Sequence, residues 1–272
     1  MLAVGTSGYS YDEWASYFYP SSLKGKEMLQ FYAQFFDMVE INSTFNHIPP
    51  AEMMGRIAQK APPQFVFSIK VFRAVTYDRD MDMVQPFLES MMPMVSLGKV
   101  KCFVLQFPFT FEDTEANRAF IVQLKRVFTL PLVAEFRSPK WVSEDAFSFL
   151  ESNDIGFCCV DEPRLKGLFP PIARVTSQIG YVRFNGRNVG SWFHPATPQD
   201  RFDYLYSDAE LKEWVPKIKA MANLTQDFFV IFSNFPKASA VRNAATLSNL
   251  LEAKHIELPP PEDTDSQLSD FF

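Results

Sequence analysis

The fold this sequence predicts is a single-domain (β/α)₈ TIM barrel of the α/β class, and three observations predict it. Eight short apolar runs (LAVGTSG, MVEINST, FVFSIKV, KCFVLQFP, PLVAEFR, GFCCVD, YVRFNG and FFVIFSN) each end in polar residues. Most are separated by stretches long enough for a helix, and strands alternating with helices imply parallel pairing. The 272 residues suit one barrel, typically about 250 residues, better than two small domains.

The first run ends near Ser7 and passes through an aromatic loop, Tyr9 to Tyr19, into a helix from about Lys24 to Phe36. The second strand ends at Thr44. Pro49-Pro50 then opens a helix, because proline suits a first turn and Glu52 the positive end of the helix dipole. The third strand ends near Val71, ahead of helical spacing from Met81 to Leu97. The fourth stops at Pro108, where Asp113 or Thr114 can cap a helix to about Phe128. The fifth stops at Arg137, and Ser143 precedes a short helix through Asp145, Phe147 and Leu150. After the sixth, Glu162 to Ser177 carries three prolines, so its connection is expected to be irregular. The seventh ends near Gly186 and is followed by a long loop through Trp192, His194 and Pro198 to a helix beginning at Ser207. After the eighth, Ala238 to Ala253 closes the ring. The barrel domain is expected over 1–258. The remainder, 259–272 (PPPEDTDSQLSDFF), has too many prolines and acids to continue a helix or fill a core, and reads as a mobile tail.

With 47% apolar residues the chain can build a large core, and its 29 Phe read first as core filler. A net charge of −6 argues against a global basic field and indiscriminate adhesion to nucleic acid. Three cysteines, two adjacent at Cys158 and Cys159 within an apolar run, fit reduced, buried thiols rather than a disulfide framework. No apolar run reaches the roughly 18 residues of a membrane span. The chain begins directly with a strand, so a soluble cytoplasmic protein is expected.

Side chains alternate faces along a strand. Glu40 and Asn42 therefore oppose Val39 and Ile41, and Ser68 and Lys70 oppose Phe67 and Ile69. Gln106 opposes Leu105, Glu135 and Arg137 oppose Ala134 and Phe136, and Arg183 and Asn185 oppose Val182 and Phe184. With apolar faces turned to the helices, Glu40, Glu135, Lys70, Arg137, Arg183 and Asp161 should converge with Asn42, Gln106, Asn185 and Asn234 at the carboxyl ends of the strands. Barrel enzymes place their chemistry at that end. A structural salt-bridge plug explains any one of these residues equally well. So many polar groups at one mouth favour a ligand, since apolar packing could replace a purely structural network.

Glu40 and Glu135 could divide general acid and base roles if their surroundings push their pKa values apart. Sugar chemistry would suit that pair, with Tyr9, Tyr11 and Trp14 stacking on the substrate. Lys70 could form a Schiff base if desolvated, but neighbouring glutamates favour a protonated, salt-bridged lysine. The forks of Arg137, Arg183 and Arg187 suit an anionic ligand, phosphate or carboxylate. His47, His194 and His255 fall outside the predicted strands, which argues against a zinc or trinuclear centre. No cofactor is required, and a single divalent ion on Glu40, Glu135 or Asp161 stays open.

The strings VGTSGYSYDEW, VEINSTF, FVFSIK, AEFR, YVRFNGRN, DYLYSDAELKEW and AVRNA occur in order over almost the whole chain. Together they resemble the domain-of-unknown-function family 72, also called YecE-like. The resemblance implies a TIM-type barrel of uncharacterised activity. By position it also implies shared polar residues at Ser7, Glu40, Asn42, Thr44, Lys70, Glu135, Arg137, Arg183 and Asn234.

Leu268, Phe271 and Phe272 keep an L-x-x-F-F spacing that resembles the peptide by which DNA-metabolism proteins enter a sliding clamp, although Asp265 replaces the usual Gln. In a helical turn these apolar groups would share one face. Two readings follow. The first is an enzyme acting on a polar or anionic, sugar- or phosphate-like small molecule at the barrel mouth. The second is a nucleic-acid-processing or nucleic-acid-binding barrel recruited to a clamp by its tail.

Overall fold

The computed structural model of the chain describes residues 1–262. Within them β1 (Leu2–Thr6), α1 (Met28–Phe35), β2 (Met38–Ile41), α2 (Ala51–Lys60), β3 (Val66–Lys70), α3 (Arg73–Tyr77), α4 (Val84–Ser96) and β4 (Val100–Gln106) form the first half. The second half is α5 (Glu115–Val127), β5 (Leu132–Glu135), α6 (Glu144–Ser152), β6 (Ile155–Asp161), β7 (Ile179–Phe184), α7 (Asp208–Lys212), α8 (Val215–Ala222), β8 (Asp227–Phe232) and α9 (Ser239–Leu251). The described strands form one eight-stranded parallel sheet in the order β1-β8-β7-β6-β5-β4-β3-β2, a nearly closed (β/α)₈ barrel. Side-chain caps start several helices as their residue types dictate. Thr114 accepts from Asn117 N, Ser143 from Ala146 N, and Ser207 forms a reciprocal box with Glu210.

Two local features depart from the expectation. The second strand stops at Ile41, and Ser43–Phe45 is a 3₁₀ turn, because the Thr44 hydroxyl donates to the Lys70 carbonyl (2.6 Å) and pulls the chain out of the strand. The short α3, which carries Tyr77, intervenes before the expected helix of residues 81–97. The connection from Glu162 to Ser177 contains no helix or strand, as its prolines require.

Alternation sorts the strands into two apolar layers. Val39, Ile41, Phe67, Ile69, Leu105, Ala134, Val182 and Phe184 pack outward against the helices. A smaller cluster with Met38, Val66, Cys102, Val133, Cys158, Val160 and Ile231 fills the barrel interior. The three cysteines are free and buried. The seam between β1 and β2 carries one isolated parallel bridge, Ser7 to Glu40. There the backbones approach so closely that a Cβ on Gly5 would lie 2.4 Å from the Met38 carbonyl oxygen. Tyr32 of α1 supplies what the ladder lacks: its hydroxyl accepts from Thr6 N (3.0 Å) and donates to Met38 O (3.2 Å). The seam's polar backbone groups are thereby satisfied inside an apolar wall.

After α9 the chain returns to the first loop, where Glu262 N donates to Ser16 O (2.9 Å) and Ser21 N to the Glu262 carboxylate (3.0 Å). Among the described residues no helix is long and apolar enough to cross a membrane.

Candidate active site at the barrel mouth

Above the apolar interior lies a layer of charge. Arg183 projects inward from β7 between Glu40 of β2 and Glu135 of β5, and all three are at most 1% exposed. Its Nη2 and Nη1 donate to the two Glu40 oxygens (2.6 and 2.9 Å), and its Nε donates to Glu135 Oε2 (2.6 Å). Ser7 (2.7 Å) and the Tyr181 hydroxyl (2.8 Å) complete the shell of Glu40. Burial by itself would raise the Glu40 carboxyl. The Arg183 charge and hydrogen bonds, with Lys70 and Ser7, overcome it and bring the group down to about 2. Glu135 is lowered in the same way, burial being outweighed by Arg183, Lys70 and Arg137. Two carboxylates on one guanidinium form a fixed, charged girder across the barrel.

One step nearer solvent, Arg137 bridges to a second acid. Its Nη2 lies 3.1 Å from Glu135 Oε1 and its Nη1 3.4 Å from Glu162 Oε2. Glu162 is 4% exposed, accepts from Phe169 N (2.9 Å), and faces Asn185. Its carboxyl is raised, chiefly by burial, with Glu135 adding to the effect and Arg137 opposing it. Glu135 and Glu162 are thus pushed in opposite directions across a shared arginine.

Arg137 and Glu162 line a cavity of about 420 Å³ at the carboxyl ends of the strands, a size that suits a small molecule. Gln106 and Tyr77 form one wall, joined by a 2.7 Å hydrogen bond from the amide to the phenol. Trp192, Phe193 and Phe202 of the long seventh loop, with Arg201, face Phe109 of the fourth. Phe109 and Phe193 are 56% and 54% exposed, an unusual placement for large apolar rings.

Matching the chain to known proteins gives a family and no activity. The profile of the family described as a protein of unknown function, DUF72, covers residues 3–267. The chain belongs to the DUF72 family. The UPF0759 protein YunF of Bacillus subtilis (strain 168) is 27% identical over 281 residues, covering 96% of this chain and 98% of that protein. The crystal structure of a DUF72 family protein from Thermotoga maritima MSB8 superposes with a TM-score of 0.86 at 33% identity, covering 93% of this chain and 99% of that one. A second, from Enterococcus faecalis V583, gives 0.83 at 25% identity, covering 97% of this chain and 100% of that one.

The DUF72 barrel gathers some of the residues singled out in the sequence and disperses others. Ser7, Glu40, Lys70, Gln106, Glu135, Arg137, Arg183 and Asn185 occupy the inner face or the mouth. Asp161 and Arg187 do not. Asp161 lies on the outer face of β6 and takes two hydrogen bonds from Arg187 (2.8 and 2.7 Å), plus others from Tyr206 and Trp214. Arg187, also paired with Glu210 and Glu213, is thereby a clamp between the sheet and α7, not an anion fork at the mouth. Asn234 points outward as well, its amide donating to Tyr204 O and Asn243 Oδ1 (both 2.8 Å). Thr44 ties β2 to β3, and the half-buried Asn42 opens the turn beside it without a side-chain cap bond.

The aromatic loop is a plug rather than a stacking platform. Trp14 is fully buried and donates to Phe235 O (2.7 Å), Tyr11 stacks on Phe235, and Tyr9 packs toward Tyr32, beside a separate cleft with Lys26 and Arg56. His194 is exposed and does not line the cavity. The expected acid/base division between Glu40 and Glu135 fails, because Arg183 holds both carboxylates charged. Glu40, Glu135 and Asp161 do not converge on a point where a divalent ion could sit, and among the described residues no group of three or more His, Cys, Asp or Glu is poised for a metal. Leu268, Phe271 and Phe272 lie outside the described residues.

Lys70 corrects a further expectation. It is 7% exposed and forms no hydrogen bond or ion pair within 4 Å among the described residues, its Nζ lying 5.1 Å over the Phe45 ring. Burial lowers the ammonium to about 8, with Arg183 and Arg137 adding to the fall and Glu135 and Glu40 resisting it. The glutamates that would have paired with it are already held by arginine. Glu162 and Arg201 were not identified from the sequence. Alternation would have found Glu162, which stands two residues beyond the inward Val160. No strand periodicity reaches Arg201, which comes from a loop.

Proposed function

We propose that this protein is an enzyme acting on a polar, anionic substrate of the sugar-phosphate kind, bound in the cavity at the carboxyl ends of the strands. The observation that carries this reading is the Glu135–Arg137–Glu162 arrangement. A partly exposed guanidinium opens on the cavity beside a carboxyl raised above its ordinary range and a second carboxylate held below it. Arg137, helped by Arg201, would anchor the anion. Glu162 would carry a proton to or from the substrate, since a carboxyl tuned toward neutrality is the more effective acid or base. Tyr77 and Gln106 offer polar contacts, and the exposed rings of Phe109 and Phe193 could close over an apolar face of the ligand.

A panel of phosphorylated sugars read by thermal shift tests it: at least one member raises the melting temperature of the native chain. Arg137→Met then weakens that ligand by about tenfold or more, as loss of a charge-assisted hydrogen bond worth roughly 1.5–3 kcal/mol requires. An unchanged affinity in the variant would remove Arg137 from the site.

The L-x-x-F-F spacing of Leu268, Phe271 and Phe272 supports a second reading, recruitment of a nucleic-acid-processing barrel to a sliding clamp. The chain is held against the first loop up to Glu262, and the tail sequence follows from there. Deleting the final eight residues, 265–272, abolishes clamp pull-down if this reading holds. Equal capture of both forms would discard it.

A further inference from the structure

We infer that Lys70 is a carbonyl-capturing amine that forms an imine with an aldehyde or ketone entering the barrel mouth. The inference deepens the proposed function by naming a carbonyl-bearing substrate class, and it rests on that reading for the anionic part of the ligand. Four observations carry it. Lys70 ends β3 on the inner face of the barrel, where the apolar cluster below leaves the mouth as its approach to solvent. The residue keeps 7% of its surface, and its Nζ is not among the fully buried, unpartnered side-chain atoms of the described residues. Among the described residues it has no hydrogen bond or ion pair, whereas Lys99, also buried, donates to the carbonyls of Pro62 and Pro63. It also stands behind the cavity wall. Phe45, over which it sits, packs edge-on to Tyr77, and Tyr77 lines the cavity.

The electrostatic surroundings allow the neutral amine to exist. Glu40 and Glu135 face Lys70 but are bound to Arg183, and Arg137 and Arg183 repel a third cation in the same layer. A desolvated lysine beside other cations is the arrangement that activates amine nucleophiles. In the step itself the Nζ lone pair forms a bond to the carbonyl carbon and the C=O π pair moves onto oxygen. The carbinolamine then loses that oxygen as water. The two amine hydrogens leave with it and a C=N bond remains, so the step needs no oxidant, reductant or co-reactant.

The experiment is reductive trapping with the full chain and two probes, glyceraldehyde 3-phosphate and neutral glycolaldehyde. Each is incubated with sodium cyanoborohydride, and the adducts are located by peptide mass spectrometry. The expected result is preferential adduction at Lys70 over exposed lysines such as Lys140, with a yield that climbs with pH through about 8. Lys70→Arg retains the charge and loses the adduct. Labelling of Lys70 by glycolaldehyde, with no thermal shift from any sugar phosphate, keeps the imine and discards the anionic-substrate reading. A sugar phosphate that shifts the melting temperature while Lys70 stays unlabelled overturns the imine and leaves that reading standing. Labelling spread evenly over surface lysines of the native chain also overturns it, and this outcome does not depend on whether the variant folds.

Discussion

Replacing Arg183 with methionine will cost about 3–5 kcal/mol of stability, the range for stranding buried charge by removing its partner. The guanidinium makes three hydrogen bonds to Glu40 and Glu135, both fully buried, and nothing of equal geometry replaces it. Lys70 lowers both carboxyls by its charge, yet it has no hydrogen bond to either. In the variant both carboxyls lose the charge that offsets their burial, and both move up. Adding Glu40→Gln and Glu135→Gln to the methionine variant should recover part of the loss, because neutral amides remove the buried charges. The sign with pH follows from the direction of the shifts. A carboxyl held near 2 instead of its usual 4.5 contributes stability that is complete above 4.5 and is lost as pH falls toward 2. Urea denaturation of the native chain and the variant at neutral pH and at pH 3 measures both effects. A midpoint that barely moves in the single variant would show that the girder holds nothing up.

Glu162→Gln is expected to lower turnover of whichever phosphorylated sugar proves to be a substrate by about 10²–10⁴-fold, the usual worth of a positioned acid or base. Binding should survive, because the glutamine amide oxygen can still accept from Phe169 N and Arg137 stays in place. The effect therefore falls on kcat, with KM little changed. The raised carboxyl gives the native pH–rate profile a limb above the ordinary carboxylate range, and that limb disappears in the variant. A variant that keeps native turnover, or loses it only through KM, would make Glu162 a binding or structural group.

Period-two alternation is enough to place Glu40, Lys70, Gln106, Glu135 and Arg183 on one inner face, because a strand buried on both faces of a barrel still separates the two sets of side chains strictly. For Asp161 and Asn234 the same rule gives the outer face instead of the mouth. Both stand in step with outward residues of their own strands, Cys159 and Phe232, and polarity alone had suggested the mouth. Polar residues on the outer face are rarer, but here an Arg and a Tyr from the seventh loop and a Trp from the connection between α7 and α8 satisfy Asp161. The aromatic loop failed for a related reason. Composition marks Tyr9, Tyr11 and Trp14 as rings without saying whether their edges meet a ligand or the end of β8.

The barrel and its inner charged layer are legible in the sequence, since hydrophobic periodicity and short βα units leave little else for the chain to become. Which charges are partnered is settled by the folded geometry. Arg183 takes both glutamates, so Lys70 pairs with neither and the raised carboxyl at the mouth is Glu162 rather than Glu40. Pairing depends on reach and angle between side chains more than a hundred residues apart, as Glu40 and Arg183 are. The pKa of each group then follows from burial and neighbours that no local pattern encodes.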